Sequence, residues 1–171
     1  MRYGRHMRRF ALLGVVACAS SVPAPIPPPA PQLLPRLEAA RDLAGVAIGS
    51  GPQRATVAIM VASWCSPCHA ELAILAQLRA RHPGMRVLGL DYLAFEEYDH
   101  RGDPQAMRAF AAATPWLRVV PVDEALFTAL GQPPKIPTLF VFDREGALTA
   151  TFVPPMPSAG ELDRLLDHLG A

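Results

Sequence analysis

Thiols are scarce in this chain, with three cysteines among 171 residues, at positions 18, 65 and 68. That number excludes a small scaffold stapled by several bridges. Lysine is scarcer still, Lys135 being the only one. The formal net charge is +1, and Arg2, Arg5, Arg8 and Arg9 supply four positives to a segment without Asp or Glu, so +1 less those four leaves −3 for the remainder. A mildly acidic remainder gives no electrostatic reason to expect nucleic-acid binding. The apolar stretch Phe10–Ala17 is far short of the ~20 residues that span a bilayer. What is present is ordinary for one globular domain with a real core: 51% hydrophobic and 18% charged residues, which excludes disorder throughout.

The arginines followed by Phe10–Ala17 have the layout of an export signal over residues 1–17. Val15-Val16-Ala17-Cys18 resembles a bacterial lipobox, which implies that Cys18 is diacylated and tethers the chain to a membrane. A plain secretory signal that happens to contain a cysteine is the alternative, and Met7 is an alternative start. With Cys18 lipidated, Cys65 and Cys68 are the only protein thiols left, so an exported, oxidising setting holds one possible intramolecular bridge. A bridge across a two-residue gap constrains little of the unfolded chain, which favours a redox role over a structural one.

Seven prolines between Pro23 and Pro35 favour extended polyproline II and oppose core packing, so residues 18–35 are expected to form a tether and residues 36–171 the domain. About a dozen such residues at ~3.1 Å each would hold the domain about 40 Å from a membrane surface. Leu33, Leu34, Leu37 and Leu43 have helical spacing ahead of the turn cluster Gly49-Ser50-Gly51-Pro52. Periodicity and breakers then predict a strand at 55–61, a helix at 66–82 and a strand at 86–91, which together make a βαβ unit. Asp103-Pro104 starts a helix through Ala113, followed by an extended stretch at 117–122 and a short helix at 123–130. Residues 138–143 and 147–153 are predicted as a hairpin, and Ser158 as the cap of a final helix.

The chemistry is concentrated at Trp64-Cys65-Ser66-Pro67-Cys68-His69, directly behind the predicted strand. A helix starting here puts the first sulfur at a helix N-terminus, where unpaired N–H groups and the macrodipole favour a thiolate. Pro67 suits a first helical turn, since its missing N–H has no helical partner there. Cys65 is therefore the candidate nucleophile and Cys68 the resolving thiol.

Trp-Cys-x-x-Cys behind a strand resembles the thioredoxin superfamily. About seventy residues on, Ile136-Pro137-Thr138 resembles that superfamily's second motif, and with Glu71 and the lipobox-like N-terminus the chain is similar to the TlpA/ResA-like membrane-anchored thiol–disulfide oxidoreductases. The resemblance covers roughly residues 54–170. It implies an α/β fold, the thioredoxin-like three-layer α/β/α sandwich with a mixed central sheet. It also implies a cis Ile136–Pro137 bond facing the Cys65/Cys68 disulfide, with the Ile136 backbone as a docking edge for a substrate strand. Relatives usually carry an N-terminal β-hairpin, and no convincing alternation for one is found here.

Glu71, three residues after Cys68, is a candidate proton relay by that resemblance, and otherwise a helix-start charge worth ~0.3–1 kcal/mol. Ile59 stands where thioredoxins carry a buried aspartate, which leaves Glu71 as the nearby acid. Trp64 is expected either to shield the disulfide or simply to pack. Lys135 is expected to be an exposed lysine, and the aromatic and acidic segment Tyr92–Arg101 either a substrate-facing loop or a plain surface loop.

Two rival chemistries use the same residues. Cys65-Ser66-Pro67-Cys68-His69 also satisfies the c-type haem attachment pattern, opposed by the strand and by the Ile-Pro-Thr segment. The thiols also suit Cu(I), which would make the protein a metallochaperone. A structural zinc site lacks ligand spacing. The expectation is therefore an exported, periplasm-facing, lipid-anchored and monomeric thiol–disulfide oxidoreductase without cofactor or metal, acting as a reductant. By resemblance its partners are a membrane thiol donor and protein disulfides such as those of apocytochrome c or copper-site proteins.

Overall fold

The computed structural model describes residues 33–171. The proposed signal, Cys18 and the tether up to residue 32 lie outside the described residues. The elements in chain order are α1 (Leu33–Ala39), β1 (Ala55–Val61), α2 (Ser66–Arg81), β2 (Met85–Tyr92), α3 (Leu93–Glu96), a 3-10 turn (Tyr98–His100), α4 (Pro104–Ala113), β3 (Arg118–Val122), α5 (Glu124–Ala129), β4 (Thr138–Asp143), β5 (Leu148–Phe152) and α6 (Ala159–Leu169). Among the described residues no helix is long and apolar enough to cross a membrane.

β1 is the apolar run Ala55–Val61, and its burial from end to end follows from its place at the centre of the sheet order β3-β2-β1-β4-β5. Strands β1, β2 and β3 are parallel, while β4 is antiparallel to β1 and β5 to β4. A parallel sheet buried on both faces calls for such unbroken apolar strands. One face of the sheet packs Leu72, Leu75 and Leu78 of α2, Met107 of α4 and Leu162 and Leu166 of α6 against Val57, Ile59 and Val61. The other packs Leu33, Leu34 and Leu37 of α1 and Leu126 of α5 against Ala58, Met60, Phe140 and Phe142. The result is the three-layer sandwich with a mixed sheet.

Local signals explain the element ends. Asp103 accepts from the N–H groups of Gln105 and Ala106 ahead of Pro104, and Asp123 accepts from Leu126. Ser158 and Glu161 form a reciprocal capping box, and Gly170 closes α6 in the left-handed region at φ 70°, as such caps favour. The predicted hairpin forms with Gly146 at φ 82° in its turn.

Two expectations need correction. Residues 33–35 belong to the packed domain rather than to the tether, because α1 begins at Leu33 and buries Leu33 and Leu34; these leucines outweigh the local proline content. Residues 93–96 form a helical turn, and Glu96 within it is fully buried. No N-terminal hairpin strand pair precedes β1 among the described residues, where the chain instead forms α1 and a single bridge between Arg41 and Ala47.

Candidate active site

The register of the sheet brings the two motifs together. Met60 pairs with Thr138, so the segment leaving β1 toward Cys65 and the segment entering β4 through Pro137 lie at the same end of the sheet. The Ile136–Pro137 bond is cis, and so is Pro154–Pro155, which the sequence reading did not anticipate.

Cys65 and Cys68 form a disulfide with an S–S distance of 2.02 Å and Cα atoms 5.2 Å apart. Cys65 is the N-cap of α2, and its Sγ accepts the N–H of Cys68 at 3.2 Å. Cys65 is 2% exposed and Cys68 is not exposed at all. When the bond is reduced, the free N–H groups of the first turn and the helix dipole favour negative charge on the Cys65 sulfur. The ring of His69 stacks on Phe110 of α4, centroids 5.3 Å apart.

Glu71 is buried one turn beyond Cys68, its Oε1 has no hydrogen-bond partner among the described residues, and burial pushes its carboxyl above the usual range. It is thus an acid that holds its proton to higher pH than an exposed glutamate does. Ile59 is fully buried between β2 and β4, paired with Gly89 and Leu139.

The sequence reading missed an acidic pair. Asp91, opposite Val61 in the sheet, is 9% exposed with an unpartnered Oδ1, and burial, together with the Glu96 charge, pushes its carboxyl up to about 6. Glu96 accepts the Ser63 N–H at 2.7 Å and the Ser63 hydroxyl at 2.5 Å. Asp91 Oδ1 meets no such donor among the described residues, and burial with the Glu96 charge beside it favours the protonated Asp91 carboxyl below about pH 6. The available signal for Asp91 was a carboxylate ending the apolar run Val87–Leu90; Glu96 carried none, since its burial arises from the loop folding back on Ser63.

Trp64 is partly buried, and its indole N–H donates to the carbonyls of Phe95 (3.2 Å) and Glu96 (2.8 Å). Its ring stacks with Tyr98 at 6.3 Å, and the Arg101 guanidinium lies 5.1 Å from its centroid. Asp99 and His100 beside it hold positive φ angles of 54° and 56°, a strained conformation for residues other than glycine. A groove of about 490 Å³ opens here, lined by Trp64, Phe95, Tyr98, Ile136, Pro137 and Met156. Lys135 also reaches it. The structure therefore gathers Trp64, Cys65, Cys68, Glu71, Ile136 and Pro137 at one end of the sheet. Among the described residues no three His, Cys, Asp or Glu side chains cluster in a way that could hold a metal ion.

Solved structures of similar fold include a secreted Mycobacterium tuberculosis disulfide oxidoreductase homologous to E. coli DsbE, 22% identical, covering 78% of this chain and 98% of that one with a TM-score of 0.59. A thioredoxin-like protein from Aeropyrum pernix is 18% identical, covering 80% of this chain and 93% of that one, with a TM-score of 0.63. StoA from Bacillus subtilis is 22% identical, covering 73% and 92% respectively, with a TM-score of 0.54. No protein-family model matches the sequence, and no curated protein matches it. The fold is thioredoxin-like.

Proposed function

We propose that this chain of thioredoxin-like fold is a thiol–disulfide oxidoreductase that works as a reductant of protein disulfides in the cell envelope, facing the periplasm. The observation that carries the reading is the Cys65–Cys68 disulfide at the N-terminus of α2, at the sheet end that also holds the Ile136–Pro137 segment and the groove. The Cys65 thiolate attacks one sulfur of a partner disulfide, forming a mixed disulfide and releasing a partner thiolate. Glu71, as a carboxylate, takes the Cys68 proton, and the Cys68 thiolate attacks the Cys65 sulfur. The second partner thiolate leaves, and two electrons have passed to the partner. A membrane thiol donor returns the Cys65–Cys68 bond to the dithiol.

The lipobox-like Val15–Cys18 and the proline-rich segment support a lipid anchor at Cys18 with a spacer behind it. The substrates suggested by resemblance are the disulfides of apocytochrome c or of copper-site proteins. Ile136 and Pro137 offer backbone and surface to an incoming extended segment.

Equilibration of the protein with reduced and oxidised glutathione tests the direction. A potential more reducing than the glutathione couple is expected, and one well above it would make the protein an oxidase. Cys68→Ser is expected to trap a mixed disulfide through Cys65, whereas Cys65→Ser abolishes trapping. Tight Cu(I) binding with no detectable disulfide reduction would replace the exchange reading with the metallochaperone one.

A further inference from the structure

Glu96 takes no part in the exchange steps, yet it is fully buried in an aromatic loop. No Lys, Arg or His pairs with it among the ion pairs of the described residues. A buried carboxylate is costly unless its oxygens are hydrogen-bonded. Here both are bonded to one residue, Ser63, at 2.7 Å from its N–H and 2.5 Å from its hydroxyl. The next residue, Trp64, returns its indole N–H to the carbonyls of Phe95 and Glu96. Two adjacent residues before Cys65 are thus clamped to two adjacent residues of the loop after β2.

The clamp has two further sides. Outward, it sets Phe95 and Tyr98 beside Trp64 in the lining of the groove, which Ile136 and Pro137 also line. Inward, Gly102 packs so closely that a Cβ there would lie 2.2 Å from Glu96 Oε1 and 2.9 Å from its carbonyl oxygen. Only glycine lets the carboxylate keep its place.

We propose that Glu96 is a positioning residue that seats the aromatic wall of Trp64, Phe95 and Tyr98 beside Cys65, so that the groove selects protein disulfides whose cysteine is flanked by an apolar side chain. Offset aromatic faces bind such a side chain by burying apolar area, which a small polar disulfide does not offer. This inference rests on the exchange reading and deepens it. Glu96 acts through Ser63 and Trp64 and touches no sulfur in this role.

The test compares reduction of insulin, a protein disulfide, with reduction of glutathione disulfide. Glu96→Ala is expected to raise KM for insulin and to lower the insulin-to-glutathione ratio of kcat/KM by about tenfold. Glu96→Gln keeps an acceptor for the Ser63 N–H and is expected to restore most of that ratio. In a Trp116→Phe background, Trp64 fluorescence is expected to shift to the red in the alanine variant and not in the glutamine one. Should Glu96→Ala fail to fold, Gly102→Ala displaces the same carboxylate from the other side and is expected to show the same ratio change and red shift. Equal losses on both disulfides, no loss on either, or glutamine no better than alanine would overturn the proposal. If the parent protein reduces neither disulfide, the exchange reading fails separately, and an unshifted Trp64 spectrum then overturns the seating role.

Discussion

The two ends of the central sheet treat charge in opposite ways. At the end where β1, β2 and β3 begin, half-buried charges are paired, Arg86 with Glu38 at 2.8 Å and Arg118 with Asp42 at 2.6 Å, and the buried His82 ring is hydrogen-bonded to Asp163 at 2.8 Å. Burial pushes the Asp42 carboxyl up, yet the hydrogen bonds from Arg118, Val46 and Ala44 and the Arg118 charge together hold it below its ordinary value. At the end that carries Cys65 and Cys68, Glu71, Asp91 and Glu96 are buried with no cation paired to them among the described residues, and two of the three keep an oxygen without a partner there. The Asp91 carboxyl there rises to about 6. The same chain pairs its half-buried charges with cations at one end of the sheet and buries acids without a cation at the end that carries Cys65 and Cys68, where, under the proposed function, their proton affinity bears on thiol exchange.

The most disruptive way to test this contrast is to add one more acid to the uncompensated end. Ile59→Asp places a carboxylate at a fully buried position between two strands, and a destabilisation of about 4 kcal/mol is expected in denaturant titration. Survival of native stability would mean that this end already holds a cation or water that compensates acids.

Removing an acid there should have the opposite sign. Asp91 has its folded-state pKa raised from 3.8 to about 6, so the native state binds the proton more tightly than the unfolded state does. Stability is therefore lost as pH rises from about 4 through 6, and the loss is complete above that window. Asp91→Asn abolishes this dependence and is expected to be up to about 3 kcal/mol more stable than the parent at pH 8, with little difference at pH 4. Urea midpoints at the two pH values measure it.

Glu71→Gln sharpens the contrast on the kinetic side. Without the carboxylate, resolution of the mixed disulfide by Cys68 is expected to slow by about a hundredfold near neutral pH. Its pH profile should also lose the inflection that Glu71 contributes above the ordinary carboxylate range, the direction set by burial. Stopped-flow single turnovers follow this step.

Arg86→Ala makes the paired end resemble the other one. It strips Glu38 of its cation and also removes donors to Thr56 and to the Gly49 carbonyl. A loss of about 2 kcal/mol is expected by thermal unfolding, with the equilibrium against glutathione unchanged.

Much of this was legible along the chain. The strands at 55–61 and 138–143, the helix at 104–113 and the capped helix after Ser158 appear where local periodicity, prolines and capping side chains put them. The Cys65 and Cys68 pair stood out because its chemistry is tied to a short, fixed spacing, and Pro137 because Ile136-Pro137-Thr138 resembles the second motif of the thioredoxin superfamily. The acid pair at Asp91 and Glu96 was not visible in the same way. A glutamate within Phe95-Glu96-Glu97 has the composition of a surface loop, and nothing local separates Glu96 from Glu97. Glu96 is buried because Ser63 and Trp64, over thirty residues earlier, supply its donors.

The sequence by itself determined most of the segments that become strands and helices, and that a Cys-x-x-Cys pair opens a helix, since these follow from interactions a few residues in range. Tertiary structure alone decided which carboxylates lose water, which of them meet an arginine, and that Trp64, Phe95 and Pro137 share one groove. Desolvation and pairing depend on what the folded chain brings into contact across the sheet, and no local pattern carries that information.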